Sequence, residues 1–200
     1  MATRELTVSG HDGVELRCVL HEEEGGDRVA VVFPGAGYTP QAPLLWFARA
    51  CLLARGLAVL DVWWDYSVVS DNDPFELWVA EDARAAVDHV GEPAVLVGKS
   101  LGTLAIASLG LDIPAVWLTP TLVRPVVREA LAAVRSPALV IVGTADPLAP
   151  RELWPDWPEG VELVEVEGGD HGLEVADPLA SLDALRLVVA RMAAFVGGSP

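Results

Sequence analysis

The stretch Val95-Leu-Val-Gly-Lys-Ser-Leu-Gly-Thr103, VLVGKSLGT in one-letter code, contains two overlapping motifs. Its Gly-Lys-Ser resembles the end of a phosphate-binding loop, whereas its G-x-S-x-G is typical of a serine nucleophile. A phosphate-binding loop needs another glycine five positions before the Gly-Lys glycine, because its backbone N–H groups must wrap around the phosphates. Pro93 occupies that position, and an apolar strand runs directly into Gly98. The sequence therefore excludes the phosphate-binding loop.

The G-x-S-x-G reading needs a strand, an abrupt turn that carries the serine, and a helix that begins immediately afterwards. Ser100 lies between Gly98 and Gly102, the two positions where small residues allow a strained turn to pack. A predicted strand at 94–98 precedes it and a predicted helix at 101–109 follows. This setting predicts a nucleophile elbow at Ser100.

The rest of the chain alternates between short apolar runs and segments with helical periodicity, which is typical of parallel strands covered by helices on both faces. We predict strands at 29–33, 57–64, 94–98, 115–119 and 138–143, and helices at 43–55, 74–90, 101–109, 124–134 and 178–196. Residues 161–166 alternate apolar and acidic side chains and predict a strand near the sheet edge. Residues 5–8 and 14–20 predict an antiparallel hairpin at the opposite edge. The expected fold is an α/β three-layer sandwich with a mostly parallel sheet, in one domain spanning 1–200.

A serine hydroxyl needs a base within hydrogen-bond reach and a carboxylate that orients the base. Of the four histidines, His11 falls in the hairpin turn, His21 in an acidic loop and His89 near a helix end. His171 follows the strand at 161–166 in a glycine-rich loop that could hold its ring over Ser100. We predict His171 as the base.

Two carboxylates compete to orient that histidine. Asp146 follows the strand at 138–143, at its carboxyl end, whereas Asp170 adjoins His171 in sequence. Neighbouring residues in an extended loop point in divergent directions, which favours Asp146 and leaves Asp170 as the alternative.

The chain order serine, aspartate, histidine resembles that of the α/β-hydrolase superfamily, and the likeness extends from Val29 onward. The resemblance implies that Ser100 is the nucleophile, His171 the general base and Asp146 the orienting acid. Many relatives carry a lid after the sixth strand, but residues 118–125 are too few for one. We therefore expect a shallow, open site without a lid.

In that family, two backbone N–H groups hold the oxyanion of the tetrahedral intermediate. The first corresponds here to Leu101. The second falls in residues 33–38, where Ala36 is favoured and Gly37 is the alternative. This segment resembles the family's His-Gly-x-Gly turn, with Pro34 replacing a histidine that often braces the loop.

Several side chains are candidates for the substrate site. Lys99, beside Ser100, either assists an anionic substrate or pairs with one of the many carboxylates, and the second is favoured. Four tryptophans near strand ends form either an aromatic wall for an acyl or aryl group or ordinary core packing, the commoner fate. These tryptophans are Trp63, Trp64, Trp154 and Trp157. The substrate-contact candidates are Tyr38, Trp63, Trp64, Thr119 and Trp154.

Composition narrows the class of partner. Thirteen Lys and Arg residues against 29 Asp and Glu residues give a formal charge of −16, which argues against nucleic-acid and membrane partners. Cys18 and Cys51 lie among apolar neighbours and predict buried thiols, with no disulfide or metal site. The first residues lack a secretory pattern, which predicts a cytoplasmic location.

Together these features predict a cofactor-independent serine hydrolase that forms an acyl-enzyme on Ser100 and cleaves a small ester, thioester or lactone. The alternative is a non-catalytic interaction module on the same fold, motivated by the altered Pro34 turn and the acidic surface. Peptidase and acyl-transfer chemistry use the same nucleophile and stay open, and the sequence does not predict an oligomeric state.

Overall fold

The computed structural model describes residues 2–22, 28–65 and 75–198. Within these ranges, eight strands form one sheet in the order β1-β2-β4-β3-β5-β6-β7-β8. The strands are β1 (Ala2–Ser9), β2 (Glu15–Glu22), β3 (Val29–Phe33), β4 (Ala58–Trp63), β5 (Val95–Lys99), β6 (Ala115–Leu118), β7 (Ala138–Gly143) and β8 (Val161–Val166).

Helices cover both faces of the sheet. They are α1 (Pro43–Leu53), α2 (Phe75–Val90), α3 (Leu101–Leu109), α4 (Pro125–Ala132) and α5 (Pro178–Gly198). Buried side chains of α2, α3 and α4 pack on one face, and those of α1 and α5 pack on the other. This arrangement confirms the predicted three-layer α/β/α sandwich. None of the helices in the described ranges is both long and apolar enough to cross a membrane.

The strand pairing also agrees with the prediction. The strands from β4 to β8 in the sheet order pair in parallel, and β2 joins β4 antiparallel. The β1–β2 hairpin forms one edge and β8 the other, where Glu162 and Glu165 of β8 are exposed. In β7 every residue is buried, as expected for a strand covered on both faces.

Predicted and observed bounds differ by a few residues at most elements. The hairpin is longer than predicted, since its register runs from Ala2 opposite Glu22 to Ser9 opposite Glu15. Backbone pairing at an exposed edge does not depend on apolar side chains, so the apolar pattern underestimates its length. Helix α1 ends before the predicted residue 55, because Gly56 adopts a left-handed φ of 75° that leads into β4. The predicted cap of α2 at 71–74 lies outside the described residues.

Two local predictions are wrong. His21 lies in β2 and is buried, not in a loop, because β2 continues to Glu22. Cys51 is only partly buried on α1, whereas Cys18 is fully buried, and both are free thiols. Burial raises the pKa of the Cys18 thiol to about 12, so this group is an unreactive core residue.

A buried ion pair anchors the loop that follows β3. Asp61 of β4 is fully buried and pairs with Arg49 of α1, and the Nε2 of His21 lies 3.1 Å from the same carboxylate oxygen. Arg49 also donates to the carbonyl of Pro40 at 3.1 Å. The guanidinium thereby ties the β3–α1 loop to the sheet.

Replacing Asp61 with alanine should destabilise the fold by about 3–5 kcal/mol, because it leaves the Arg49 charge buried without its partner. Asp183→Ala is the matched control, since the Asp183–Arg186 pair spans 3.4 Å with side chains 72% and 82% exposed. The control should change stability by less than about 0.5 kcal/mol. Urea unfolding of both variants measures the difference, and equal effects would contradict the anchoring role.

Candidate active site

Ser100 forms the whole connection between β5 and α3. Strand β5 ends at Lys99 and α3 begins at Leu101, so the chain reverses at a single residue with φ 53° and ψ −109°. Residues other than glycine rarely adopt such angles, which cost of order 1–3 kcal/mol. The Ser100 N–H donates to Leu118 of β6 at 2.9 Å, and the Ser100 carbonyl accepts from the Thr103 N–H at 2.8 Å. These bonds hold the strained turn in place.

The two glycines of the motif are required by close backbone packing. A Cβ atom on Gly98 would overlap the carbonyl of Gly102, and one on Gly102 would overlap the carbonyl of Phe33 in β3. The start of α3 therefore lies directly against the strands, which is the arrangement that the elbow prediction requires.

The structure brings Ser100, His171 and Asp146 into one hydrogen-bonded array. His171 Nε2 lies 2.7 Å from Ser100 Oγ, and His171 Nδ1 lies 2.8 Å from Asp146 Oδ2. An ionised carboxylate only accepts hydrogen bonds, so Nδ1 carries the proton and the neutral Nε2 accepts from the serine hydroxyl. The Asp146 side chain is fully buried, whereas that of His171 is 27% exposed. Ser100 is 7% exposed, so the His171 ring is the part of the array that is most accessible to solvent.

Backbone contacts between two loops place the aspartate against the histidine. The Ala145 N–H donates to the Gly169 carbonyl at 2.9 Å, and the Gly168 N–H donates to Thr144 Oγ1 at 2.7 Å. A Cβ atom on Gly143 would overlap the Gly169 carbonyl. The loops after β7 and β8 therefore meet at backbone distance. The second oxygen of the Asp146 carboxylate accepts from the Leu148 N–H at 2.8 Å, which fixes its rotamer.

The side chain of Asp170, the alternative acid, forms hydrogen bonds within its own loop. Its Oδ1 accepts from the N–H groups of Gly172 at 2.7 Å and Glu174 at 3.0 Å. The residue is exposed, in contrast to Asp146. The geometry thus pairs His171 with Asp146, as the sequence favoured.

The three backbone N–H groups predicted as oxyanion donors lie in the turn after β3 and at the start of α3. Gly35 and Tyr38 close a turn through two backbone hydrogen bonds of 3.1 and 3.3 Å, which use neither the Ala36 nor the Gly37 N–H. Ala36 and Gly37 are exposed. Leu101 is the first residue of α3, where N–H groups have no acceptor within the helix.

The sequence favoured an ion pair between Lys99 and a carboxylate, and the described residues do not show one. Lys99 is 4% exposed, and none of the ion pairs among the described residues involves it. Its Nζ instead lies 4.6 Å from the ring centroid of Tyr38. Burial lowers the pKa of the Lys99 ammonium to about 8, although the charges of Asp146 and Asp170 oppose this shift. The ammonium is therefore mostly charged at neutral pH and loses its proton as the pH rises through about 8.

The tryptophan candidates are mostly engaged in packing. Trp64 stacks on Phe33 with centroids 6.2 Å apart and contacts Trp78 at 5.9 Å. Trp154 packs on Trp157 at 6.0 Å and donates from its indole N–H to a neighbouring carbonyl at 2.8 Å. Within the described ranges, no ring contact links Trp64 and its neighbours to Trp154 and Trp157. The structure therefore favours core and loop packing over one aromatic wall.

The remaining substrate candidates differ in accessibility. Trp63 is half-buried beneath the guanidinium of Arg17, which lies 4.6 Å from its ring centroid. The Tyr38 hydroxyl accepts from the Leu44 N–H at 2.9 Å. Thr119 is fully buried and has a φ of 44°, so its hydroxyl does not reach the surface.

Thr103 is a site residue that the sequence analysis missed. Its hydroxyl donates to the Ser100 carbonyl at 2.6 Å and accepts from the Thr121 N–H at 3.2 Å. Thr103 is fully buried, and it links the elbow to the segment that follows β6. A hydroxyl residue in the first turn of the helix that follows the serine was the available signal.

Other features do not add a second chemistry. Among residues 2–22, 28–65 and 75–198, no cluster of three or more His, Cys, Asp or Glu side chains could hold a metal ion. A cavity of about 340 Å³ lies between α3 and α4, where Trp117 and the first residues of β6 and β7 line it. That cavity is at the amino ends of the strands, opposite the end that carries Ser100.

The chain resembles known proteins in structure rather than in sequence. No protein-family model matches the chain, and no curated protein matches it. Solved structures do match over almost the full length. An α/β serine hydrolase homologue from Coxiella burnetii superposes with a TM-score of 0.73 at 16% identity, covering 96% of this chain and 98% of that chain.

Two further neighbours extend the likeness. An esterase domain from Rhodothermus marinus has a TM-score of 0.69 at 16% identity and covers 98% of this chain and 100% of its own. An α/β serine hydrolase without a lid from Xanthomonas campestris has a TM-score of 0.68 at 20% identity, covering 94% of both chains. The chain therefore has the α/β-hydrolase fold.

Gly102→Ala should destabilise the protein by at least about 2 kcal/mol, although alanine is normally the better helix former. The physical reason is the overlap of the new Cβ with the Phe33 carbonyl. Gly198→Ala is the matched helical control, since a Cβ there meets nothing within 4 Å, and its effect should stay within about 0.5 kcal/mol. Denaturant unfolding tests both variants, and a stabilised Gly102→Ala would disprove the close elbow packing.

Proposed function

We propose that this protein is a serine hydrolase that acts through an acyl-enzyme on Ser100. The observation that carries the proposal is the continuous hydrogen-bond path from Ser100 Oγ through His171 to Asp146, with links of 2.7 and 2.8 Å. A base within this distance is what activates a serine hydroxyl at neutral pH. The strained elbow presents the hydroxyl at the carboxyl edge of the sheet, where ligands bind in open parallel sheets.

In the proposed reaction, Ser100 Oγ attacks the substrate carbonyl while His171 Nε2 takes the hydroxyl proton. The buried Asp146 carboxylate stabilises the imidazolium that forms. When the tetrahedral intermediate collapses, His171 returns the proton to the departing alcohol or thiol. Water then attacks the acyl-enzyme with the same base, releasing the carboxylic acid and restoring the Ser100 hydroxyl.

The negative oxygen of the intermediate needs preorganised donors. We assign this role to the Leu101 N–H and to the Ala36 N–H, with Gly37 as the alternative to Ala36. The support is that the bonds closing the Gly35–Tyr38 turn use neither the Ala36 nor the Gly37 N–H. Leu101 is the first residue of α3, where N–H groups have no acceptor within the helix.

We propose a small ester, thioester or lactone as the substrate, with no cofactor. Residues 119–124 alone separate β6 from α4, so the chain makes no insertion at the usual position of a lid. A single open domain of this kind suits small molecules. The acidic composition, with a charge of −16, is the support for excluding nucleic acid and membranes as partners. A cytoplasmic location remains a prediction.

Intact-mass labelling with a fluorophosphonate tests the nucleophile, since this probe reacts only with an activated serine. Wild-type protein should gain one adduct, Ser100→Ala none, and His171→Ala should react far more slowly because its base is gone. Circular dichroism controls for folding of each variant. Absence of an adduct on wild type would reject the hydrolase and favour the non-catalytic interaction module.

The acid assignment is tested by a matched pair of substitutions. Asp146→Asn should lower kcat for p-nitrophenyl acetate by about 10⁴-fold, because the amide favours the wrong histidine tautomer. Asp170→Asn retains an oxygen acceptor for its own loop and should stay close to wild type. A larger loss at Asp170 than at Asp146 would reverse the assignment.

A further inference from the structure

Lys99 packs against the turn that carries the proposed oxyanion donor Ala36 and its alternative Gly37. Its Nζ lies 4.6 Å from the ring centroid of Tyr38, the last residue of the turn. At the first residue, a Cβ on Gly35 would lie 3.1 Å from Lys99 Cδ and 3.3 Å from the Lys99 carbonyl oxygen. The lysine therefore contacts both ends of the turn, and it directly precedes Ser100 in the chain.

The Tyr38 ring is held from two sides. Its hydroxyl accepts from the Leu44 N–H in α1 at 2.9 Å, and its face receives the Lys99 ammonium. A cation over an aromatic face is attracted more strongly when both groups are shielded from water. The contact therefore links the turn directly to the residue that precedes Ser100 in the elbow.

Lys99 is a buried cation, and burial disfavours its charged form. The chain contains 13 Lys and Arg residues, of which Lys99 is the only lysine. Burial lowers the pKa of its ammonium to about 8, while Asp146 and Asp170 favour the charged form. Arginine keeps its charge at any ordinary pH, whereas a buried lysine is able to lose it. The cation that directly precedes the nucleophile in the chain is thus one that is able to lose its charge.

We propose that Lys99 is a positioning residue whose protonated ammonium, held on the face of Tyr38, fixes the turn bearing the Ala36 and Gly37 N–H groups against the Ser100 elbow. The inference rests on the proposed hydrolase function. Loss of the proton removes the cation–π attraction, and the donors are then held less firmly where the oxyanion develops.

The sign of the pH effect follows from the neighbouring groups. Activity should fall as the pH rises through about 8, where Lys99 loses its charge. Burial raises the pKa of the Tyr38 phenol, with the nearby Glu174 charge contributing, so the ring stays neutral through this range. Folding stability runs in the opposite direction, since a folded state that disfavours the cation gains stability as the pH rises above about 8.

The test is the pH dependence of kcat for p-nitrophenyl acetate in wild type, Lys99→Met and Lys99→Arg. Wild type should show an alkaline decline centred near pH 8. Lys99→Met should have a kcat lower by about 10- to 100-fold, up to the cost of losing one oxyanion donor, with little change in KM and no such decline. Lys99→Arg should recover much of kcat and also lack the decline, because its charge persists.

A second measurement does not depend on activity. Because Lys99 is the only lysine, incorporation of lysine enriched with ¹³C at the ε carbon gives one side-chain signal in the protein. Its titration should report a pKa near 8 in wild type, and Tyr38→Leu should lower that pKa further by removing the ring that favours the cation. Tyr38→Leu and Lys99→Met should reduce kcat by similar factors, and the double variant should lose little more.

The outcomes separate the two proposals. An alkaline decline that persists in Lys99→Met, a lysine signal with an ordinary pKa, or independent losses in the double variant would overturn the role of Lys99 alone. Failure of wild type both to react with the fluorophosphonate and to hydrolyse the ester would overturn the hydrolase function, and the Lys99 proposal with it. A Lys99→Met protein that is less stable and shows lower kcat with the decline retained would indicate a purely structural residue.

Discussion

The tight reversal at Ser100 is the constraint on which the rest of the site depends. A single residue with φ 53° joins β5 to α3, and this is possible only because Gly98 and Gly102 let the helix start lie against backbone. The strain is of order 1–3 kcal/mol and is held by hydrogen bonds from β6 and within α3. The same reversal places Ser100 at the carboxyl end of β5, directly before Leu101, the first residue of α3.

Asp146 and His171 lie on loops that follow the parallel strands β7 and β8, at the same edge of the sheet as Ser100. The loops after β7 and β8 meet through backbone contacts at Gly143 and Gly169, which set Asp146 against His171. On the other side of the elbow, the turn after β3 is tied to the sheet by the buried Arg49–Asp61 pair. The array is thus built from strand ends, and its precision comes from backbone packing rather than from long side chains.

Much of this was predictable because the signals are local. The elbow motif, the alternation of apolar runs with helical segments and the placement of Asp146 and His171 after strands can all be read along the chain. Predictions failed where the outcome depends on residues far apart in sequence. His21 is buried because β2 continues past residue 20 and pairs His21 with Val59 of β4. Lys99 lies on Tyr38 although 29 acidic residues offer partners.

By itself, the sequence determined the layered fold and the residues able to form a nucleophilic array, since periodicity and glycine spacing express backbone sterics directly. Only the tertiary structure decided which contacts those residues make. It assigned Asp146 rather than Asp170 to His171, because Asp170 is used by N–H groups of its own loop. It also buried the one lysine against an aromatic ring, since desolvation and ring contact depend on how β5 and the turn after β3 pack together in space.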